Sequence, residues 1–325
     1  FDGALVTMPK ASRRTGRSDD GDVDAALVRA CMARDYNAAR RCCRRGANVN
    51  QTALLGPRVE PLLSVVCESG DARLTRLLLE HGAVVDKPDS DGLTALHYAC
   101  SLGHADVVRI VLDKGADVNT ATRDGVSPLW LSCQEGHVGV AQLLLENSAD
   151  INKATDIGGT PLSIAAHAGH VDVARLLLQN SADVKQAAIN GWTPLLVASA
   201  KGHLAMARLL RENGADAKQA ADDGFSPLFV ACQEGHVDVA RLLLEDYGAD
   251  INLAAYRGVS PVCVAFAKGH SALGRLLLDS GADIKHAPAN EPRWATAIRQ
   301  KVSAALIRER NANQTTNDGN SPLDD

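Results

Sequence analysis

Six histidines recur at a near-constant step: His104, His137, His170, His203, His236 and His270. Imidazoles in so regular a series could be metal ligands. Each one follows a glycine that ends a short helical segment, so each belongs to a different layer of whatever the segments build. Packed helices lie about 8–10 Å apart. Zinc ligands lie about 2 Å from the metal, so two of these imidazoles cannot share an ion. The series is structural, at the start of a second helix, and no metal or cofactor is expected.

The cysteines lead to the same reading. Cys31, Cys67, Cys100, Cys133 and Cys232 occupy one repeated position, where other units carry Ala166 or Ser199. That is a small buried slot, and its spacing exceeds the roughly 7 Å Cα limit for a disulfide. Cys42 and Cys43 are the pair expected to be accessible. With no thiols paired, an intracellular chain is expected, cytoplasmic or nuclear. No Ser/His/Asp or Cys/His arrangement stands apart from the repeat. No glycine-rich phosphate loop precedes a helix. The chain is therefore read as non-enzymatic. Lys10, Arg13, Arg14 and Arg17 could form a nucleic-acid or localisation patch. Asp19, Asp20, Asp22 and Asp24 follow at once and favour a solvated tail instead.

The elements that carry these residues are set by glycine. Gly70, Gly103, Gly136, Gly169, Gly202, Gly235 and Gly269 are separated by 33 residues, with one interval of 34 near Tyr247. A second series, Gly92 to Gly258, keeps the same step. Asp-Gly pairs such as Asp124-Gly125 predict tight turns. Ser127-Pro128 and Thr193-Pro194 predict helix starts, the hydroxyl as N-cap and proline where its missing N–H costs nothing. Segments such as 171–178 then predict a second helix with a leucine face. Ser148 and Ser181 stand where most second helices close with glycine, a place that favours a left-handed backbone.

One such unit cannot bury its own apolar faces, but stacked units can. Thr94-Ala95-Leu96-His97, Gly103-His104 and Gly115-Ala116-Asp117-Val118-Asn119 closely resemble the ankyrin repeat, over about residues 23 to 314. The resemblance implies an all-α solenoid of stacked helix–turn–helix units with projecting β-turn fingers. Residues 1–22 are polar and aperiodic and are read as a disordered leader. Residues 23–56 form a degenerate, basic first unit with Arg40, Arg41, Arg44 and Arg45. Residues 57–288 hold seven repeats, 289–314 a degenerate helix pair, and 315–325 a truncated repeat opening or tail.

In ankyrin proteins the turn tips and the ends of the first helices commonly bind partners. Carried onto this chain, those places hold Arg123, Asp124, Asp156, Asp222, Tyr256 and Arg257 at the tips. Gln134, Glu135, Lys201, Gln233, Glu234 and Lys268 end the first helices. Trp192 and Phe225 follow turn glycines, and with Tyr256 they put rings on three successive units. In a chain with 3 % aromatic residues this reads as a binding hot spot whose truncation costs the fold little. Trp130 and Phe229 replace the histidine of the repeat motif, which implies packing between units.

The 325 residues carry 22 % charged side chains and a net charge of -5, so no global field points to nucleic acid or to a membrane surface. No stretch approaches the roughly 18 apolar residues of a membrane helix. The expected function is a monomeric scaffold or adaptor that binds a protein through a concave edge. The alternative is the targeting region of a larger enzyme or channel, since the chain begins Phe1-Asp2-Gly3 without an initiator methionine.

Overall fold

The computed structural model describes residues 23–55, 58–255 and 258–283. It opens with α1 (Val23–Met32) and α2 (Tyr36–Arg44), which pack together. A hairpin of β1 (Thr52–Leu55) and β2 (Arg58–Pro61) follows, antiparallel, with Ala53 opposite Glu60. The sequence reading placed a unit boundary at residue 56 and expected no strand there. The hairpin spans that boundary, and at four residues per strand it is too short to show a period. Seven helix pairs then complete the described chain: α3 (Leu62–Glu68) with α4 (Ala72–Glu80), α5 (Ala95–Ser101) with α6 (Ala105–Asp113), α7 (Pro128–Glu135) with α8 (Val138–Glu146) and α9 (Pro161–Ala168) with α10 (Val171–Gln179). The last three are α11 (Pro194–Lys201) with α12 (Leu204–Glu212), α13 (Pro227–Glu234) with α14 (Val237–Glu245), and α15 (Pro261–Ala267) with α16 (Ser271–Asp279).

The helices are short because their caps are written into the repeat. Ser127 Oγ accepts the Trp130 N–H at 3.2 Å, and Thr160 and Ser226 accept from Ser163 and Phe229 at 3.1 Å each. Proline takes the first turn of α7, α9, α11, α13 and α15. At the other end of α7, Gly136 is left-handed at φ 78° and stops the helix.

Between the caps, two leucine-rich columns form the core. Leu96, Leu129, Leu162, Leu195 and Leu228 on the first helices are at most 1 % exposed, and so are Leu78, Leu144, Leu177, Leu210 and Leu243 on the second. Each contributes roughly 1.5–3 kcal/mol by leaving water, and only stacking removes it from water. A third column, Ala99, Ser132, Ala165, Ala198, Ala231 and Ala265 on the first helices, is fully buried and small throughout. It lets neighbouring first helices approach closely, whereas second helices touch more sparsely. The stack therefore bends toward its first-helix side.

Each finger is a minimal hairpin closed by a backbone bond four residues long, as from Thr122 N to Val126 O at 3.0 Å and from Ala188 N to Trp192 O at 3.0 Å. Fingers are also tied to one another. Arg123 N donates to Asp91 O at 3.2 Å, Asp156 N to Asp124 O at 3.0 Å, Ile189 N to Ile157 O at 3.2 Å and Asp222 N to Asn190 O at 3.2 Å. Tyr256 and Arg257, the basic cluster from Lys10 to Arg17, and residues 284–325 lie outside the described residues, as do the expected leader and C-terminal segments.

Candidate partner-binding edge

The histidine series is spent on holding the stack. Nε2 of His137, His170 and His236 lies 3.0 Å from the carbonyl oxygens of Ser101, Gln134 and Ala200 in the preceding units. His104, His203 and His270 make the same bond at 3.1 Å to Glu68, His167 and Gln233. Each ring also sits against the helix-ending glycine of the unit before it. A Cβ on Gly136, already at positive φ, would stand 2.7 Å from His170 Nδ1. Glycine is therefore required there twice, for its backbone angle and for the ring that covers it.

The cysteine column is inert for a related reason. Cys67, Cys100, Cys133 and Cys232 are fully buried, and burial pushes the thiols of Cys67, Cys133 and Cys232 up to about 12. The expected accessibility of the adjacent pair holds in part only. Cys42 is half-buried, and Cys43 is 6 % exposed on the inner face of α2.

His97 shows what the motif histidine does in this fold. Its Nδ1 accepts the Thr94 N–H at 3.1 Å, and its Nε2 lies 3.2 Å from Val126 O in the next unit. One nitrogen accepts and the other donates, so the ring is neutral, and burial pushes its pKa down to about 4. Phe229 takes the same place at 3 % exposure and packs, as its type implies. Trp130 takes it differently: the ring is half-exposed, and its buried Nε1 has no hydrogen-bond partner.

The expected binding residues fall into two kinds. Arg123, Asp124, Glu135, Asp156, Lys201, Asp222, Glu234 and Lys268 are exposed, at fingers or at the ends of first helices. Gln134 and Gln233 are half-buried, and each donates through Nε2 to the carboxylate beside it, Glu135 and Glu234, at 2.9 Å. Trp192 and Phe225 are half-buried and pack on the core. Phe225 stacks on Phe229 with ring centroids 4.8 Å apart and 16° between planes, so this ring is committed to the fold.

Between the fingers and the first helices run recesses that single residues could not have announced. One, of about 570 Å³, is lined by Asp91, Tyr98, Asp124, Trp130 and Glu135 among others. The next, of about 540 Å³, is lined by Trp130, Ile157, Gly159, Ser163, Ile189 and Trp192 among others. The sequence reading missed Tyr98, Gly159 and Ser163 as site residues. A signal for the last two exists in the repeat columns. Gly159 stands where other units carry Leu93, Val126, Trp192 and Phe225, and Ser163 where neighbours carry Trp130 and Leu196. Two small residues in one unit leave a gap between two tryptophans.

No helix among the described residues is long and apolar enough to cross a membrane. No curated protein matches the chain. The family model for ankyrin repeats (three copies) matches residues 27–122, 118–188, 154–221, 182–255 and 215–288. With core columns running through the helix pairs, fingers from Asp89 to Val259 and histidine ties from His104 to His270, the chain belongs to the ankyrin-repeat family.

Proposed function

We propose that this protein is a scaffold or adaptor that holds a protein partner along the inner edge built from its fingers and first helices. Ankyrin repeats mediate protein–protein interaction, and the observation that carries the reading here is how the edge differs from the rest of the repeat. The capping hydroxyls, leucines and histidine ties recur from unit to unit. At the finger tips the residues change sign and polarity at each step, from Arg123-Asp124 to Asp156-Ile157 to Ile189-Asn190 to Asp222-Asp223. Those tips are nonetheless fixed by the bonds between fingers, so the edge presents a preorganised surface at little entropic cost on binding.

The test is affinity capture from lysate with paired variants. Asp124→Lys, Asp156→Lys and Asp222→Lys together alter the edge, and Arg175→Glu with Arg208→Glu alters exposed positions on α10 and α12. The edge variant is expected to lose partners retained by the wild type and by the outer-face variant, with unchanged urea melts. Partners lost only with the outer-face changes sink the proposal.

A further inference from the structure

The recesses along the inner edge form a series, and their linings change in character along it. The first, about 180 Å³, lies between the β1–β2 hairpin and the first finger and is walled by Glu60, Asp89, Asp91 and Tyr98. The second takes Asp91 and Tyr98 from it and adds Asp124, Trp130 and Glu135. The third starts again at Trp130. Because each recess shares a wall with the next, the three make one trough from Val59 to Val197.

The first two parts are acidic. Glu60, Asp89, Asp91, Asp124 and Glu135 line them, and among the described residues no lysine or arginine does. Tyr98 donates to Asp89 Oδ2 at 2.7 Å, which holds one carboxylate in place. The exposed Arg123 is the neighbouring cation on the fingers, and it is not part of the lining. Among the described residues, the third part has no carboxylate, lysine or arginine in its lining. Ile157 and Ile189 stand over it on adjacent fingers, 76 % and 73 % exposed. Two large apolar side chains left so bare beside two tryptophans mark a surface meant to be covered. Its depth comes from Gly159 and Ser163, whose missing bulk opens the space between Trp130 and Trp192.

We infer that the trough seats an extended, basic segment of the protein partner, with a bulky aliphatic side chain between Trp130 and Trp192 and an arginine or lysine against Asp91, Asp124 and Glu135. This rests on the scaffold reading and adds the partner's chemistry to it. The acidic lining turns away nucleic acid, and the apolar third part gives the segment its register. Successive units are about 8–10 Å apart and an extended chain advances about 3.3 Å per residue, so the two anchors are about three residues apart.

The probe is a fluorescein-labelled peptide, Arg-Ala-Ala-Leu-Ala-Ala-Arg, which presents an arginine at the right distance in either direction along the trough. Its controls replace both arginines by glutamate, or the leucine by alanine, and binding is read by fluorescence anisotropy. The wild type is expected to bind the probe at least tenfold more tightly than either control, with the arginine preference falling as salt rises. Gly159→Leu fills the third recess, and Leu93 at the matching place shows that the repeat accepts the side chain. This variant is expected to lose the leucine preference and keep the arginine preference. Asp124→Lys with Glu135→Lys is expected to reverse the charge preference and keep that for leucine. Should Gly159→Leu melt early, Ser163→Leu fills the same space, in a column that holds Leu196. Equal binding of the arginine and glutamate peptides, or a leucine preference untouched by the filling variants, overturns the inference. If no peptide binds while the edge variant still loses partners from lysate, the inference falls and the scaffold reading stands. If the edge variant keeps them too, both fall.

Discussion

The ring of Phe266 occupies the space that a Cβ on Gly274 would need, with Cε2 only 2.6 Å from that position. In the preceding unit the matching residues are Cys232 and Ala240, both fully buried. The last described pair has exchanged a small residue on its first helix for a large one, and its second helix has given up a methyl group in return. Gly274→Ala alone should gain up to about 1 kcal/mol of helix propensity and lose about 1–3 kcal/mol to overpacking. A double-mutant cycle with Phe266→Cys is expected to give a favourable coupling of at least about 1 kcal/mol in urea melts. Additive effects would show that the two residues do not compete for one space.

Ser148 and Ser181 are left-handed, at φ 68° and 70°, and both are exposed. Glycine holds the matching place at Gly115 and Gly214, with nothing near a would-be Cβ, so the serines carry a backbone cost and no clash. Ser148→Gly and Ser181→Gly are each expected to stabilise by up to about 1 kcal/mol, read from the urea midpoint. A loss in both would mean that the unfolded chain gains more freedom than the fold gains relief.

His97 gives the fold a pH dependence whose sign is fixed. An unfolded histidine titrates near 6.5, and burial holds His97 at about 4. Between those values the folded chain binds fewer protons than the unfolded one. The contribution of His97 is therefore complete above about pH 6.5 and fades as the pH falls toward about 4. His97→Leu places there the residue that Leu196 provides elsewhere. Between pH 7.5 and 4.5 the variant is expected to lose about 2–3 kcal/mol less stability than the wild type. Parallel losses would show that His97 is protonated in the fold.

Burial also orders the thiols. Brief alkylation of the native protein, read by peptide mass analysis, is expected to label Cys42 first. Cys67, Cys100, Cys133 and Cys232, buried and held as thiols, are expected to react only after denaturant is added. Early labelling of that column would mean that the first helices separate in the native state.

The architecture was legible because the units from Thr94 onward announce themselves through capping hydroxyls and glycines at one step, with proline joining them from Pro128. The edge was legible as a set of positions, and less so as a surface. Phe225 illustrates the gap. It follows a turn glycine, as an outward-facing residue does, but Phe229 four residues later offers a ring to stack on. Stacking of this kind adds about 0.5–1.5 kcal/mol to burial, so Phe225→Ala is expected to melt early. Asp222→Ala on the same finger should stay within about 0.5 kcal/mol of the wild type. The trough was hidden for the opposite reason. It is defined by what Gly159 and Ser163 lack, and a missing side chain stands out only against the units on either side.

The ties between units run one step at a time: a histidine to the carbonyl before it, and a finger to the finger before it. Load passed along such a stack is carried joint by joint, so a failure at one joint leaves two shorter stacks and not a collapsed whole. A segment lying from Val59 to Val197 would cross several joints at once. It would act as a splint, and a bound chain should resist being pulled apart in a way that a free one does not.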